Sequence, residues 1–144
     1  MNVHAILRNK GKSVVTIHPD ASVERAVAVL RLRGIGALIV SDDGETVAGI
    51  LSERDIVEAL GRYGVELLTV NVSEVMTCPV VTCEPNDSVA ELMAEMTSRR
   101  IRHFPVVEGG RLIGIVSIGD LVKSRLDEIE YEAHSMRSFI AGAA

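Results

Sequence analysis

An internal repeat constrains this chain more than any other feature. Val14-Val15-Thr16 returns as Val80-Val81-Thr82, Pro19 as Pro85, Ser22-Val23 as Ser88-Val89, Ile35 as Ile101 and Val40 as Val106, all at one offset. Gly49-Ile50, Ser52, Asp55 and Val57 return as Gly114-Ile115, Ser117, Asp120 and Val122 at an offset one residue shorter. A residue has been lost between Val106 and Gly114, where a turn is expected. Self-similarity on this scale means that one supersecondary unit occurs twice and that its copies bury a shared core.

Both copies predict the same order of elements. Val14 to Ile17 and Val80 to Cys83 are short β-branched runs that end near a proline and predict strands. Ser22 and Ser88 are placed as helix N-caps. Behind them Val23, Ala26, Val27 and Leu30 match Val89, Leu92, Met93 and Met96, the spacing of one buried helical stripe. Two further strands follow in each copy, Ala37 to Ser41 with Val47 to Leu51, and His103 to Val107 with Leu112 to Val116, joined by Gly-containing turns. A second helix is expected to start near Glu53 and near Ile118.

The fold class is therefore α/β (α+β), with tandem β-α-β-β-α units packed about a pseudo-twofold axis. Neither unit is large enough to cover both faces of its own sheet. Residues 1–70 are assigned to the first repeat with an N-terminal segment and a mixed linker from Gly61 to Asn71. Residues 71–126 form the second repeat, and 127–144 a C-terminal helical extension with Ile129, Ala133, Met136 and Ile140 on one side, as either a solvent-edge helix or a dimer contact. Val72 to Met76 predicts a short helical turn, with Val3 to Leu7 as its counterpart.

Composition removes several function classes. A formal net charge of -5 gives no clustered basic surface for nucleic acid. Two Phe, two Tyr and no Trp leave no stacking platform for single strands. Cys78 and Cys83 match neither a redox pair nor a zinc knuckle and are expected as reduced thiols, which points to the cytoplasm. No segment approaches the ~20 apolar residues of a membrane span. His4, His18, His103 and His134 are scattered, so neither a metal site nor a catalytic constellation is expected and the chain is not read as an enzyme.

Chemistry concentrates in a Gly-Ile-x-Ser-x-x-Asp segment that occurs twice, as Gly49 to Asp55 and Gly114 to Asp120, each where a strand hands over to a helix. A serine N-cap with an acid three residues later is explicable as a capping box. The same geometry suits a nucleotide, because free N–H groups and a hydroxyl at a helix start favour phosphate. A carboxylate one turn in, ionised at neutral pH, can accept from both hydroxyls of a ribose.

From Val14 to Arg125 the chain resembles a tandem pair of CBS domains, the nucleotide-sensing repeats named after cystathionine β-synthase. The residues that carry the resemblance are Ser52-Glu53-Arg54-Asp55, Ser117-Ile118-Gly119-Asp120, Arg100-Ile101-Arg102-His103-Phe104-Pro105-Val106, and Val75-Met76-Thr77 before Pro79-Val80-Val81-Thr82. The resemblance implies two adenosine-binding clefts. Asp120 and Asp55 would hold ribose, and Ser117, Ser52, Arg54 and the Arg102-His103 pair would meet phosphates. Thr77, Val80, Thr82, Ile101 and Phe104-Pro105 would frame the adenine beside Asp120, with Lys12, Val14, Thr16, Ile35 and Ala37 in the matching places beside Asp55. Because Gly36-Ala37 replaces Arg102-His103 and Gly11 replaces Thr77, the Asp120 cleft is expected to be the better equipped.

Arg54, Arg102 and Lys12 favour an anionic phosphate chain over the sulfonium of S-adenosylmethionine. The expected function is a stand-alone regulatory sensor for AMP, ADP, ATP or NAD(H), homodimeric by resemblance with helices of two modules meeting in a flat disk, and acting on a protein partner in trans. Two alternatives stay open, a ligand-free dimeric scaffold and an S-adenosylmethionine sensor.

Overall fold

The computed structural model describes residues 1–11 and 13–143, so Lys12 lies outside the described residues. The chain runs α1 (Val3–Lys10), β1 (Thr16–Ile17), α2 (Val23–Arg33), β2 (Ala37–Val40), β3 (Gly49–Ser52) and α3 (Glu53–Tyr63). A 3₁₀ turn over Gly64–Thr69 leads to α4 (Val72–Val75), then α5 (Val89–Arg99), β4 (His103–Glu108), β5 (Arg111–Ser117) and α6 (Ile118–Ala143). The repeat is plain in this order.

Ser22 and Ser88 cap α2 and α5, accepting from Arg25 N at 3.1 Å and Glu91 N at 3.2 Å. The helices that follow bury Val23, Ala26 and Leu30, and Val89, Leu92 and Met96. Val27, placed on the stripe by spacing, is instead 37% exposed at its edge. In the first half β1 runs parallel to β2, and β2 antiparallel to β3. The second half has β4 antiparallel to β5, with a bulge between Val106 and Val107 near the lost residue.

Two expectations change. The run from Val80 to Cys83 does not form a strand; only Cys83 joins the ladder, donating to Pro105 O at 2.9 Å and accepting from Val107 N at 2.8 Å. Val80 and Val81 leave the sheet for a cleft wall, and Thr82 is exposed. The linker from Gly61 to Asn71 is also not irregular, since α3 continues to Tyr63 and the 3₁₀ turn buries Leu67. Leu67 supplies the apolar anchor that orders it.

The halves are closed crosswise. Helix α1 places Val3, Ile6 and Leu7 in the core of the second half, with Met96, Phe104 and Leu121. Backbone bonds Val3 N to Asp87 O and His4 N to Pro85 O secure it. Helix α4 does the same for the first half, burying Val72 and Val75 beside Val23 and Leu51 and donating from Val72 N to Ala21 O. Gly114 admits Leu7, since a Cβ there would stand 2.7 Å from Leu7 Cδ2, and Gly49 admits Met76 in the same way, with its sulfur 2.5 Å from a Cβ.

Leu7→Ala is expected to cost ~2–5 kcal/mol by leaving a cavity in the second core. Gly114→Ala alone is expected to destabilise through its clash with Leu7, whereas in the Leu7→Ala background its cost should shrink. Urea unfolding of the two single variants and the double variant checks this; strict additivity would mean that the two residues do not meet.

Candidate functional site

Each Ser-x-x-Asp turn folds as a capping box. Ser52 Oγ accepts from Asp55 N at 3.2 Å while Asp55 Oδ2 accepts from Ser52 N at 2.9 Å. Ser117 and Asp120 repeat this at 3.2 and 2.9 Å. The capping role commits one oxygen of each carboxylate to its helix start; Asp55 lines a cavity, whereas Asp120 sits beside Ser117 and Lys10, which line another.

The clefts are not built within copies. Thr77 donates from Oγ1 to Asp55 Oδ1 at 2.8 Å, and the backbone of Thr77 pairs both ways with Ile50 of β3. The segment after α4 is therefore an extra edge on the first sheet. One cavity of about 590 Å³ gathers Ser52, Arg54 and Asp55 with Thr77, Val80, Ile101, Arg102 and His103. The second, of about 370 Å³, gathers Ile35, Ala37, Ser117 and His103 with Lys10. Both volumes fall in the usual range of small-molecule sites.

This corrects the expected grouping. Thr77, Val80 and Ile101 face Asp55 rather than Asp120, and Ile35 and Ala37 face Ser117 rather than Ser52. For Thr77 and Val80 the crossed docking of α4 is the physical reason, because the segment that follows it is carried onto the first sheet. Asymmetries that were divided between two sites by copy now fall together. Arg54, Thr77, Arg102 and His103 all belong to the Asp55 cleft, so it and not the Asp120 cleft holds the larger set of polar groups.

Several expected residues line neither cavity. Phe104 is fully buried in the second core, Pro105 is buried in β4, and Thr82 is exposed elsewhere. Val14 and Thr16 stand outside both linings, and so does Asp120, whose carboxylate is taken up by Lys10 and Ser117 of the smaller cleft. Alternation along β4 explains Phe104: with His103 toward the clefts, the next side chain faces the core. Lining residues that motif reading missed include Glu53, Val57, Arg99 and Arg100 in the larger cleft, and Lys10 and Ser13 in the smaller. Of these, Lys10 is revealed only by the crossed topology, which sets the end of α1 beside β5.

Lys10, at the end of α1, donates to Asp120 Oδ2 at 2.7 Å and to Ile115 O at 3.0 Å. Burial pushes the Asp120 carboxyl up, but the Lys10 and Ser117 hydrogen bonds together outweigh it and hold it below the usual carboxylate range. Among the described residues no cation bonds Asp55; around its cavity stand Arg54, Arg100 and Arg102, with Arg54 Nη1 donating to Arg100 O at 3.1 Å. Arg100 ends α5 in the left-handed region at φ 57°, where Gly34 ends α2 at φ 63°. It is the one non-glycine residue with positive φ among the described residues. Arginine is strained in this conformation where glycine would be relaxed, and it stands in the lining of the larger cleft.

Among the described residues no three metal-ligating side chains converge, and no helix is long and apolar enough to cross a membrane. The CBS domain model matches residues 10–62 and 72–127. The chain belongs to the CBS-domain family, as a tandem pair. It is 33% identical over 145 residues to the mitochondrial CBS domain-containing protein CBSX3 of Arabidopsis thaliana, covering 95% of this chain and 70% of that protein. The CBS-domain containing protein ATU1752 of Agrobacterium tumefaciens superposes with a TM-score of 0.83 at 46% identity, covering 86% of this chain and 92% of that one. The CBS domain pair of protein MJ0100, solved with 5′-methylthioadenosine and S-adenosyl-L-methionine, gives 0.75 at 29% identity, covering 88% and 98%.

His103 lies between the clefts and lines both. Burial lowers its imidazole below the ordinary 6.5, with Lys10 and Arg102 adding to the effect against Asp120 and Glu53. As pH falls below 6.5 the unfolded chain takes up a proton that the folded chain refuses, so stability should decline toward the folded value. Urea midpoints between about pH 7.5 and 5.5 should show this slope, and His103→Gln should flatten it. An unchanged slope in that variant would assign the titration elsewhere.

Proposed function

We propose that this chain is a regulatory sensor whose Asp55 cleft binds an adenine nucleotide and transmits binding through the geometry of its two halves. The observation that carries the reading is the gathering of Asp55, Arg54, Arg100, Arg102 and His103 around one cavity with residues from both halves. Asp55 would take the ribose hydroxyls in place of Thr77. Ile50, Val80 and Ile101 supply apolar walls for the base, and the arginines suit phosphates. A ligand there would touch β3 and α3 on one side and the segments flanking α5 on the other, so its binding energy depends on how the halves sit.

The adenosine part of the reading is supported by the ligands of the MJ0100 pair, a protein 29% identical to this one. The phosphate part rests on this chain's own arginines. Self-association and a protein partner acted on in trans belong to the same proposal, with no catalysis by the pair itself. The Asp120 cleft is ranked second because Lys10 already neutralises its acid.

Calorimetric titration with AMP, ADP, ATP, NADH and S-adenosylmethionine tests the reading. Asp55→Ala removes two hydrogen bonds to a charged group at ~1.5 kcal/mol each, which is around a hundredfold in affinity, whereas Asp120→Ala should change it far less. Because Asp55 also caps α3, Arg100→Gly provides a second variant. It should hold or raise the melting temperature by relieving the left-handed strain while weakening ATP binding more than adenosine binding. No binding by any of the five ligands would favour a ligand-free scaffold, and a preference for S-adenosylmethionine would remove the phosphate argument.

A further inference from the structure

We propose that α6 pairs in parallel and in register with the α6 of a second copy of this chain, through a heptad seam from Val122 to Ile140. Val122, Leu126, Ile129, Ala133, Met136 and Ile140 succeed one another at alternating steps of four and three residues. That is the 3.5-residue repeat of a two-stranded coiled coil, tighter than the 3.6 of a helix lying on a globular core.

The seam is distinct from the face that holds α6 to its own body. Leu121 and Ser124 are buried and Glu128 is half-buried, whereas the large apolar residues of the seam range from 39% exposed at Val122 to 66% at Met136. At 3.6 residues per turn the seam lies about 120° around the helix from that inward line. Among the described residues nothing covers its outer part. The capping box at Ser117 starts the helix on the folded body, so its outer turns need not be nucleated on association.

Charge selects the occupant and its direction. With Leu126, Ala133 and Ile140 at a positions and Val122, Ile129 and Met136 at d, the e positions are Lys123, Glu130 and Arg137, and the g positions are Arg125, Glu132 and Phe139. In a parallel pair each g faces the next e of its neighbour. Arg125 then meets the partner's Glu130, and Glu132 meets the partner's Arg137. In an antiparallel pair Glu130 and Glu132, near the middle of the seam, would each face their own kind, and Lys123 would face the partner's Arg137. Arg125 already bonds Glu128 of its own helix at 3.3 Å on the surface, where a second carboxylate can join. This self-complementary pattern fits a second copy of the same helix, and it is independent of any ligand in the clefts.

The experiment uses the full chain with Ile140→Cys in a Cys78→Ser background; Cys83 is buried, its thiol pushed up to about 12, and stays inert. Mild oxidation is expected to join Ile140→Cys chains to one another, because facing a positions of a parallel pair lie within disulfide reach. Failure to cross-link, or joining only in a mixture with Val122→Cys chains, overturns the parallel register. In sedimentation equilibrium at low salt, Glu132→Arg should weaken the dimer about tenfold and adding Arg137→Glu should restore it. A wild-type chain that stays monomeric at high micromolar concentration, or a dimer indifferent to Glu132→Arg, overturns the proposal whatever the nucleotide titrations give.

Discussion

The structure depends on the exchange of two short helices between its halves. Without α1 the second half would lack Val3, Ile6 and Leu7 from its core, and without α4 the first would lack Val72 and Val75. Each buried aliphatic of this size is worth about 1.5–3 kcal/mol, so neither half retains a comfortable margin alone. The exchange also sets the backbone beyond each helix against the opposite sheet, as the mutual bonds of Ile50 and Thr77 show. Folding of the halves and assembly of the clefts are one event.

That coupling decides which side chains can act together. Copy-by-copy alignment treats Thr77 and Asp120 as neighbours, but their elements belong to different clefts, and the hydrogen bond of Thr77 to Asp55 is the direct sign of it. The crossing brings the polar side chains of both copies to one site. Arg54 stands where the second copy has Gly119, and Arg102-His103 where the first has Gly36-Ala37. At the other cleft the positions equivalent to Arg102-His103 are the small Gly36 and Ala37. The room at Gly36 is used, since a Cβ there would lie 2.9 Å from Glu53 Oε1 and 3.5 Å from the His103 ring.

Most of the fold was legible because repeat, capping and period agree with one another. Ser22, Ser52, Ser88 and Ser117 mark four helix starts in places where the hydrophobic period also changes. The missing strand at Val80 to Cys83 was not legible, because β-branched composition reports a residue's fit to a half-buried surface and a cleft wall satisfies it as well as a sheet does. Site membership was half legible. The motif residues Ser52, Asp55 and Ser117 line the cavities, yet their partners come from across the molecule, and a one-dimensional pattern carries no information on which half a preceding helix will join. Phe104 shows the limit most clearly, since its place in a family motif says nothing of which side of β4 it occupies.

The two acids, equivalent by repeat, have different electrostatic surroundings. Asp120 is answered by Lys10 at 2.7 Å, so an arriving anion finds that charge already spent on a carboxylate. Beside Asp55 the nearest hydrogen bonds come from uncharged groups, Ser52 and Thr77, and the guanidinium groups of Arg54, Arg100 and Arg102 line the same cavity. The local field there is positive even though the chain as a whole carries -5. A small concave site with low-dielectric walls concentrates such a field, while a net negative chain disfavours extended polyanions. Under the proposed reading, size and charge together would favour a compact anion over a nucleic acid strand at the cleft to which both halves contribute.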